Sequence, residues 1–267
     1  MKPNFTKLRD YGLDGKVDEW KEKNHLPIHQ AFALKFSNDH KSLTHIAANH
    51  TNDLKSKTYQ LIDQLITPKT DLVICEGLMY KQGLNPPNKW NDENESKHAV
   101  DVAIKLNIPY TGAEPSNYKI NKYLFKEGIK KKDILLLVCL RVNLRCYRFK
   151  QDYKTFLHDI NEIFIPHEKK ILNYDESFDF EKYFEKRFGT KFIFGKFLDA
   201  TAPNKKGKYI TNKIAYLIDL MREKSIIKHL YKFLNKYDHI VIIYGMGHIY
   251  AEYPIFKETF DKVVKIK

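Results

Sequence analysis

The sequence predicts an α/β fold, a central and mostly parallel sheet flanked by helices, with an active-site cleft at the carboxyl edge of the strands. Two observations carry that expectation. Short apolar runs, LTHIA at 43–47, DLVICEG at 71–77 and HIVIIY at 239–244, read as buried strands. The segments between them repeat apolar residues every three or four positions, and strand, helix, strand is the order of a parallel crossover unit. A chain of 267 residues is long enough for one large core. The expected division is a single α/β domain over 1–267, with an N-terminal extension at 1–40, a core at 40–255 and a largely helical or irregular insertion at 130–200.

Taken in order, LTHIA leads into AANHTND, whose Asn and Asp suit the cap of a helix from Leu54 to Ile66 with Tyr59, Ile62 and Ile66 on one face. DLVICEG ends in a carboxylate and runs into the Gly, Pro and Asn-rich loop GLMYKQGLNPPNKW. A helix over Ser96–Leu106, with Ala99, Ala103 and Leu106 on one side, leads into NIPYTGAEPS. In the middle of the chain Ile134–Leu140 reads as a strand in isolation, but its length without turn signals and an Asp133 placed like an N-cap favour a helix, with Cys139 and Cys146 two turns apart. Residues 166–190 read as an irregular excursion with short helices. A helix from Asn212 to Leu234 turns Ile214, Leu217, Ile218, Met221, Ile226, Leu230 and Leu234 toward a core, with Arg222 and Glu223 among them.

Composition bounds the function. Hydrophobic residues make up 43% of the chain, and no run approaches the roughly 18 apolar residues of a membrane span. MKPNFTKLRDYGLDGK carries charge but no apolar core of a secretory signal, so a cytoplasmic location with no membrane partner is expected. The three cysteines lack CxxC spacing and read as reduced core thiols. A formal charge of +13 suits a nucleic-acid partner, yet only six of the 46 basic residues are arginine, the residue that reads bases and phosphates through its fork. Lysine runs such as KKK at 130–132 and NKKGK at 204–208 read as solvated turns.

The candidate site rests on placement. His50, Glu76, Glu114 and His248 each stand just past an expected strand end, and in open α/β sheets groups at the carboxyl ends converge in space. Gly245 and Gly247 before His248 suggest a sharp or positive-φ exit that opens the backbone to a substrate oxygen. Two imidazoles and two carboxylates suit two chemistries. Either His50, Glu76 and His248 ligate a divalent metal such as Mn, Co or Zn that activates water, or a His–Glu pair acts as general base. Asn49, Ser116, Gly247 and Arg222 are the candidate substrate-binding residues, and Arg222 is expected against Glu76 or Glu114. The structural alternatives are a helix cap for His50 with Asn49, and strand-end carboxylates that accept loop N–H groups. HExxH, GxSxG and a Walker loop are missing, and GMGHIY lacks the third glycine of a dinucleotide fingerprint.

AANH at 47–50, CEG at 75–77, GAEP at 112–115, LIDLMREKSII around Arg222 and GMGH at 245–248 together resemble the motif order of the erythromycin esterase/ChaN/TraB/Tiki superfamily. The resemblance covers residues 40 to 255. Ala47 stands where the family pattern has glycine. What the resemblance implies is a sheet between helices and a cleft lined by both histidines and both glutamates. Members it is similar to include esterases that open macrolide lactones, metal-dependent proteases, haem-associated proteins and pheromone-shutdown proteins. The expected function is a cytoplasmic hydrolase acting on an ester or peptide-like substrate. Its rival is a protein that binds haem or nucleic acid in the same cleft without turnover, and a third reading is a toxin or defence effector.

Overall fold

The computed structural model describes residues 3–9, 16–27, 30–51, 53–78 and 94–266. Most of the expected loop at 77–90 lies outside them. The chain forms two compact units, one of 1–115 with 222–267 and one of 116–221.

The first unit holds the sheet. Its elements are α1 (Lys16–Lys23), β1 (Phe32–Ser37), β2 (Ser42–Ala48), α2 (Lys57–Leu65), β3 (Leu72–Cys75), α3 (Glu95–Lys105) and β4 (Tyr110–Thr111). The second unit follows with α4 (Asn117–Lys126), α5 (Lys131–Arg148), α6 (Tyr153–His158), α7 (Ile165–Leu172), α8 (Phe180–Phe188) and the first half of α9 (Ile210–Leu234). The rest of α9, β5 (His239–Gly245), α10 (Met246–Thr259) and β6 (Lys262–Ile266) return to the first.

The sheet order is β4-β3-β5-β2-β1-β6, with β4, β3, β5 and β2 parallel to one another and β1 and β6 antiparallel to their neighbours. The central strands are apolar on both faces because helices cover both. Leu43, Ala47, Ile74, Ile242 and Tyr244 pack with Ile226, Leu230, Ile249 and Phe256 from α9 and α10. Ile46, Val73, Cys75, Val241 and Ile243 pack with Leu61, Ile62, Ala99 and Ala103 from α2 and α3.

Several expectations change. Within 1–40, β1 joins the sheet by pairing with β2 from Ser42 to Ala47, and β6 carries the sheet past 255. The first crossover helix begins at Lys57, after Ser56; Asp53 instead accepts the N–H of Lys55 at 2.9 Å in a turn before it. Residues 131–148 are helical, with Cys139 and Cys146 both buried, but Lys130 is the N-cap. Asp133 lies inside the first turn, where it accepts from Tyr183 Oη at 2.9 Å and Arg187 Nε at 2.8 Å.

Candidate active site at the carboxyl edge of the sheet

Parallel pairing sets the positions of the site residues. Ala48 of β2 lies opposite Gly245 of β5, and Cys75 of β3 opposite Ile243, so all three strands end at one edge. His50 stands two residues past β2, Glu76 directly after β3, and Glu114 past β4. The chain leaves β5 straight into α10, which puts His248 in that helix's first turn. Arg222 and Glu223 come from α9.

These side chains meet around Glu76. Its Oε2 accepts the Gly245 N–H at 2.7 Å, and its Oε1 accepts from Arg222 Nη2 at 3.1 Å and faces His248 Nε2 at 3.3 Å. Arg222 forks onto Glu114, with Nε to Oε2 and Nη2 to Oε1 both at 3.1 Å, and Glu114 also accepts the Gly77 N–H at 2.8 Å. Burial pushes the Glu76 carboxyl up, but the hydrogen bond and charge of His248, with Arg222 and His50, outweigh it and hold the group well below the usual carboxylate range.

The glycines act differently from expectation. Gly245 has φ −56° and Gly247 is helical, so neither provides a left-handed exit. A Cβ at Gly245 would stand 2.8 Å from His50 Nε2, so glycine is needed there for close approach. The left-handed exit belongs to Gly77, whose φ of +79° turns its N–H back to Glu114.

The two histidines occupy opposite environments. His248 is buried, with Nδ1 2.6 Å from Glu223 Oε1 and Nε2 facing Glu76. Burial alone would lower its pKa; the charge and hydrogen bond of Glu223, joined by Glu76, overcome that and raise it well above the ordinary value. A carboxylate facing each nitrogen favours the imidazolium form of the ring. The His50 side chain is 62% exposed and hydrogen-bonds through Nδ1 to Glu95, which raises its pKa, and Nε2 stands 3.8 Å from Glu76 Oε2.

A deeper layer lies behind His248. Glu252, one helical turn along α10, has no exposed surface, and burial with the neighbouring Glu223 charge pushes its carboxyl well up. His45 of β2 places Nε2 3.5 Å from Glu252 Oε2, yet neither ring nitrogen completes a hydrogen bond, and burial pulls its pKa down to about 3. The Tyr244 ring meets His248 edge-on at 5.0 Å.

Glu95, Glu252 and His45 are not among the site residues that the sequence predicts, and Glu223 stands there only as the neighbour of Arg222. The one spacing that pointed to any of them was HIYAE, which sets a carboxylate one turn from His248. Asn49 is exposed beside His50 and lines a small pocket with Gln30, Thr51, Ser56, Thr58 and Gln60. Ser116 is the N-cap residue of α4, in the second unit.

His50, Glu76 and His248 do not fit a divalent metal in this arrangement. Both His248 nitrogens already face carboxylates, both Glu76 oxygens already take N–H groups, and Arg222 brings a fixed positive charge. Among the described residues no group of three or more His, Cys, Asp or Glu side chains is arranged to hold a metal ion. No described helix is long and apolar enough to cross a membrane. No family model, curated protein or solved structure matches the chain.

Proposed function

We propose that this chain is a hydrolase of the erythromycin esterase/Tiki type, acting on an ester or peptide-like carbonyl, with His50 as the base that activates water. The observation that carries the reading is the contrast between the two imidazoles. His248 is enclosed between Glu223 and Glu76, whereas His50 is exposed and oriented by Glu95. An imidazole that donates Nδ1–H to a carboxylate presents Nε2 as a lone pair.

In the proposed step a water gives its proton to His50 Nε2 as its oxygen attacks the carbonyl carbon. Collapse of the tetrahedral intermediate breaks the bond to the leaving group, which takes the proton back from His50. Glu95 and Glu76 flank the ring and favour the imidazolium formed between these steps. Arg222 holds Glu76 and Glu114 in place, and the amides and hydroxyls around Asn49, with Lys57 beside them, suit a polar part of a substrate.

The test is a screen of ester and peptide substrates with and without chelator, run on the wild type and His50→Ala. The expected result is chelator-resistant hydrolysis that falls about 100- to 10,000-fold in His50→Ala with an unchanged melting temperature. In the wild type kcat/KM should rise with pH through an ionisation above 6.5, the ordinary value that Glu95 raises, and this limb should move to lower pH in Glu95→Gln. Hydrolysis at the wild-type level in His50→Ala would overturn the reading, as would saturable ligand binding with no turnover.

A further inference from the structure

Away from the sheet edge, the first unit holds a second polar feature that the proposed chemistry leaves unused. The N-terminal segment, α1 and the last turns of α10 frame an open pocket of ≈ 520 Å³, lined among others by Lys7, Arg9, Trp20, Lys23, Tyr253 and Lys257. That is an ordinary size for a small-molecule site. Four of its lining residues are cations. The carboxylate that lines it, Glu258, is held by Lys7 at 3.1 Å.

Arg9 is the centre of the feature. Its backbone N–H donates to Ala251 O at 3.2 Å, which ties the segment to α10. Its guanidinium carbon lies 5.2 Å from the Tyr250 ring centre, 5.9 Å from Tyr253 and 6.0 Å from Trp20. Aromatic faces attract a cation but accept no conventional hydrogen bond. Arg9 Nη1 is buried without an acceptor, and so is Nε1 of Trp20, a side chain only 7% exposed. Both groups only donate, so water-poor surroundings leave each at a penalty that an acceptor from outside would relieve.

We propose that this cavity is a binding site for the phosphate group of a small molecule. Arg9 provides the planar fork that matches phosphate oxygens, with a small side-chain shift bringing the indole N–H of Trp20 to bear. Lys23 and Lys257 supply further charge, and neither has an ion pair among the described residues. The inference is independent of the proposed hydrolysis.

The test follows Trp20 fluorescence in the full chain carrying Trp90→Phe, titrated at constant ionic strength with inorganic phosphate and, separately, with a nucleoside 5′-monophosphate. The expected result is a saturable change with at least one of them, weakened about tenfold to a hundredfold in Arg9→Gln. Lys257→Gln, an exposed position, should weaken binding by a smaller factor, and Lys191→Gln, in the second unit, should leave it unchanged. Tighter binding of the nucleotide would assign part of the cavity to the organic half of the ligand; equal binding would confine the site to the phosphate. A signal absent with both ligands, or one weakened equally by Lys191→Gln, would overturn the proposal. If Arg9→Gln fails to fold, Arg9→Lys keeps the charge and removes the fork, and undiminished binding there together with undiminished binding in Lys257→Gln would overturn it too.

Discussion

The two units bury polar groups on different terms. In the helical unit the buried carboxylates are closed locally, Asp133 by Tyr183 and Arg187 and Asp159 by Arg145, as is Asn143 by the backbone of Gly195 and Lys196, and the polar atoms left without a partner, Asn121 Nδ2 and Thr211 Oγ1, belong to uncharged side chains. Its interior is otherwise apolar, with aliphatic residues such as Leu136, Leu140 and Ile160 packed beside a chain of touching rings, Phe156, Phe180, Phe184, Phe188, Phe192 and Phe197. The sheet unit buries His45, Glu223, His248 and Glu252 together, and His45 and Glu252 lack conventional partners for their polar atoms. Packing explains the first arrangement. The second is expensive for a scaffold and is the pattern expected where ionisation states are set for chemistry.

The contrast predicts different ways of breaking each unit. Phe184→Ala should remove about 3–5 kcal/mol from the helical unit, read by denaturant unfolding, because Phe184 is fully buried among rings. A loss under 1 kcal/mol would show that the aromatic cluster does not hold that unit. In the sheet unit, Glu223→Gln should destabilise by about 3 kcal/mol, since it removes one partner of a buried charge pair and leaves the His248 imidazolium facing an amide.

Acid sensitivity is the next effect. The His45 pKa is lowered in the folded state, so on falling below pH 6.5 the unfolded chain takes up this proton before the native one does, and stability drops. Between pH 6.5 and about 4.5 the slope should approach 1.4 kcal/mol per pH unit, and His45→Gln should flatten it. An unaltered slope in His45→Gln would place the acid sensitivity elsewhere. The smallest change belongs to Glu252→Gln. A glutamine mimics the neutral acid, so the loss should stay within about 1 kcal/mol, well below that of Glu223→Gln. Equal losses would mean that Glu252 is ionised.

Much of the site was legible because parallel strands announce themselves. DLVICEG and HIVIIYGMGH show apolar runs that end in a polar group, and in a parallel sheet such ends share an edge, which brought His50, Glu76, Glu114 and His248 together in the structure. The position of Arg222 was legible too, because a guanidinium in an apolar helix needs carboxylates. β1 was missed although FALKFS is mostly buried, because an antiparallel hairpin partner shows no crossover pattern, and its other neighbour, β6, comes from the far end of the chain. Glu95 was hidden for another reason. It sits at the start of α3, where an acidic residue is the ordinary helix preference, so nothing in its local sequence sets it apart as a partner of His50. His45 looked like one more residue in a strand, and only burial reveals its cost.

The most direct measurement is the protonation state of the two site histidines, followed by ¹⁵N NMR of the imidazole nitrogens across pH and assigned through His50→Ala and His248→Gln. His248 should keep both ring protons well above pH 6.5 in the wild type and lose this in Glu223→Gln, whereas His50 should titrate on its own, above 6.5, and move down in Glu95→Gln. A His248 that is neutral at pH 7, or a His50 whose titration ignores Glu95, would contradict the division of labour between a fixed cation and a working base.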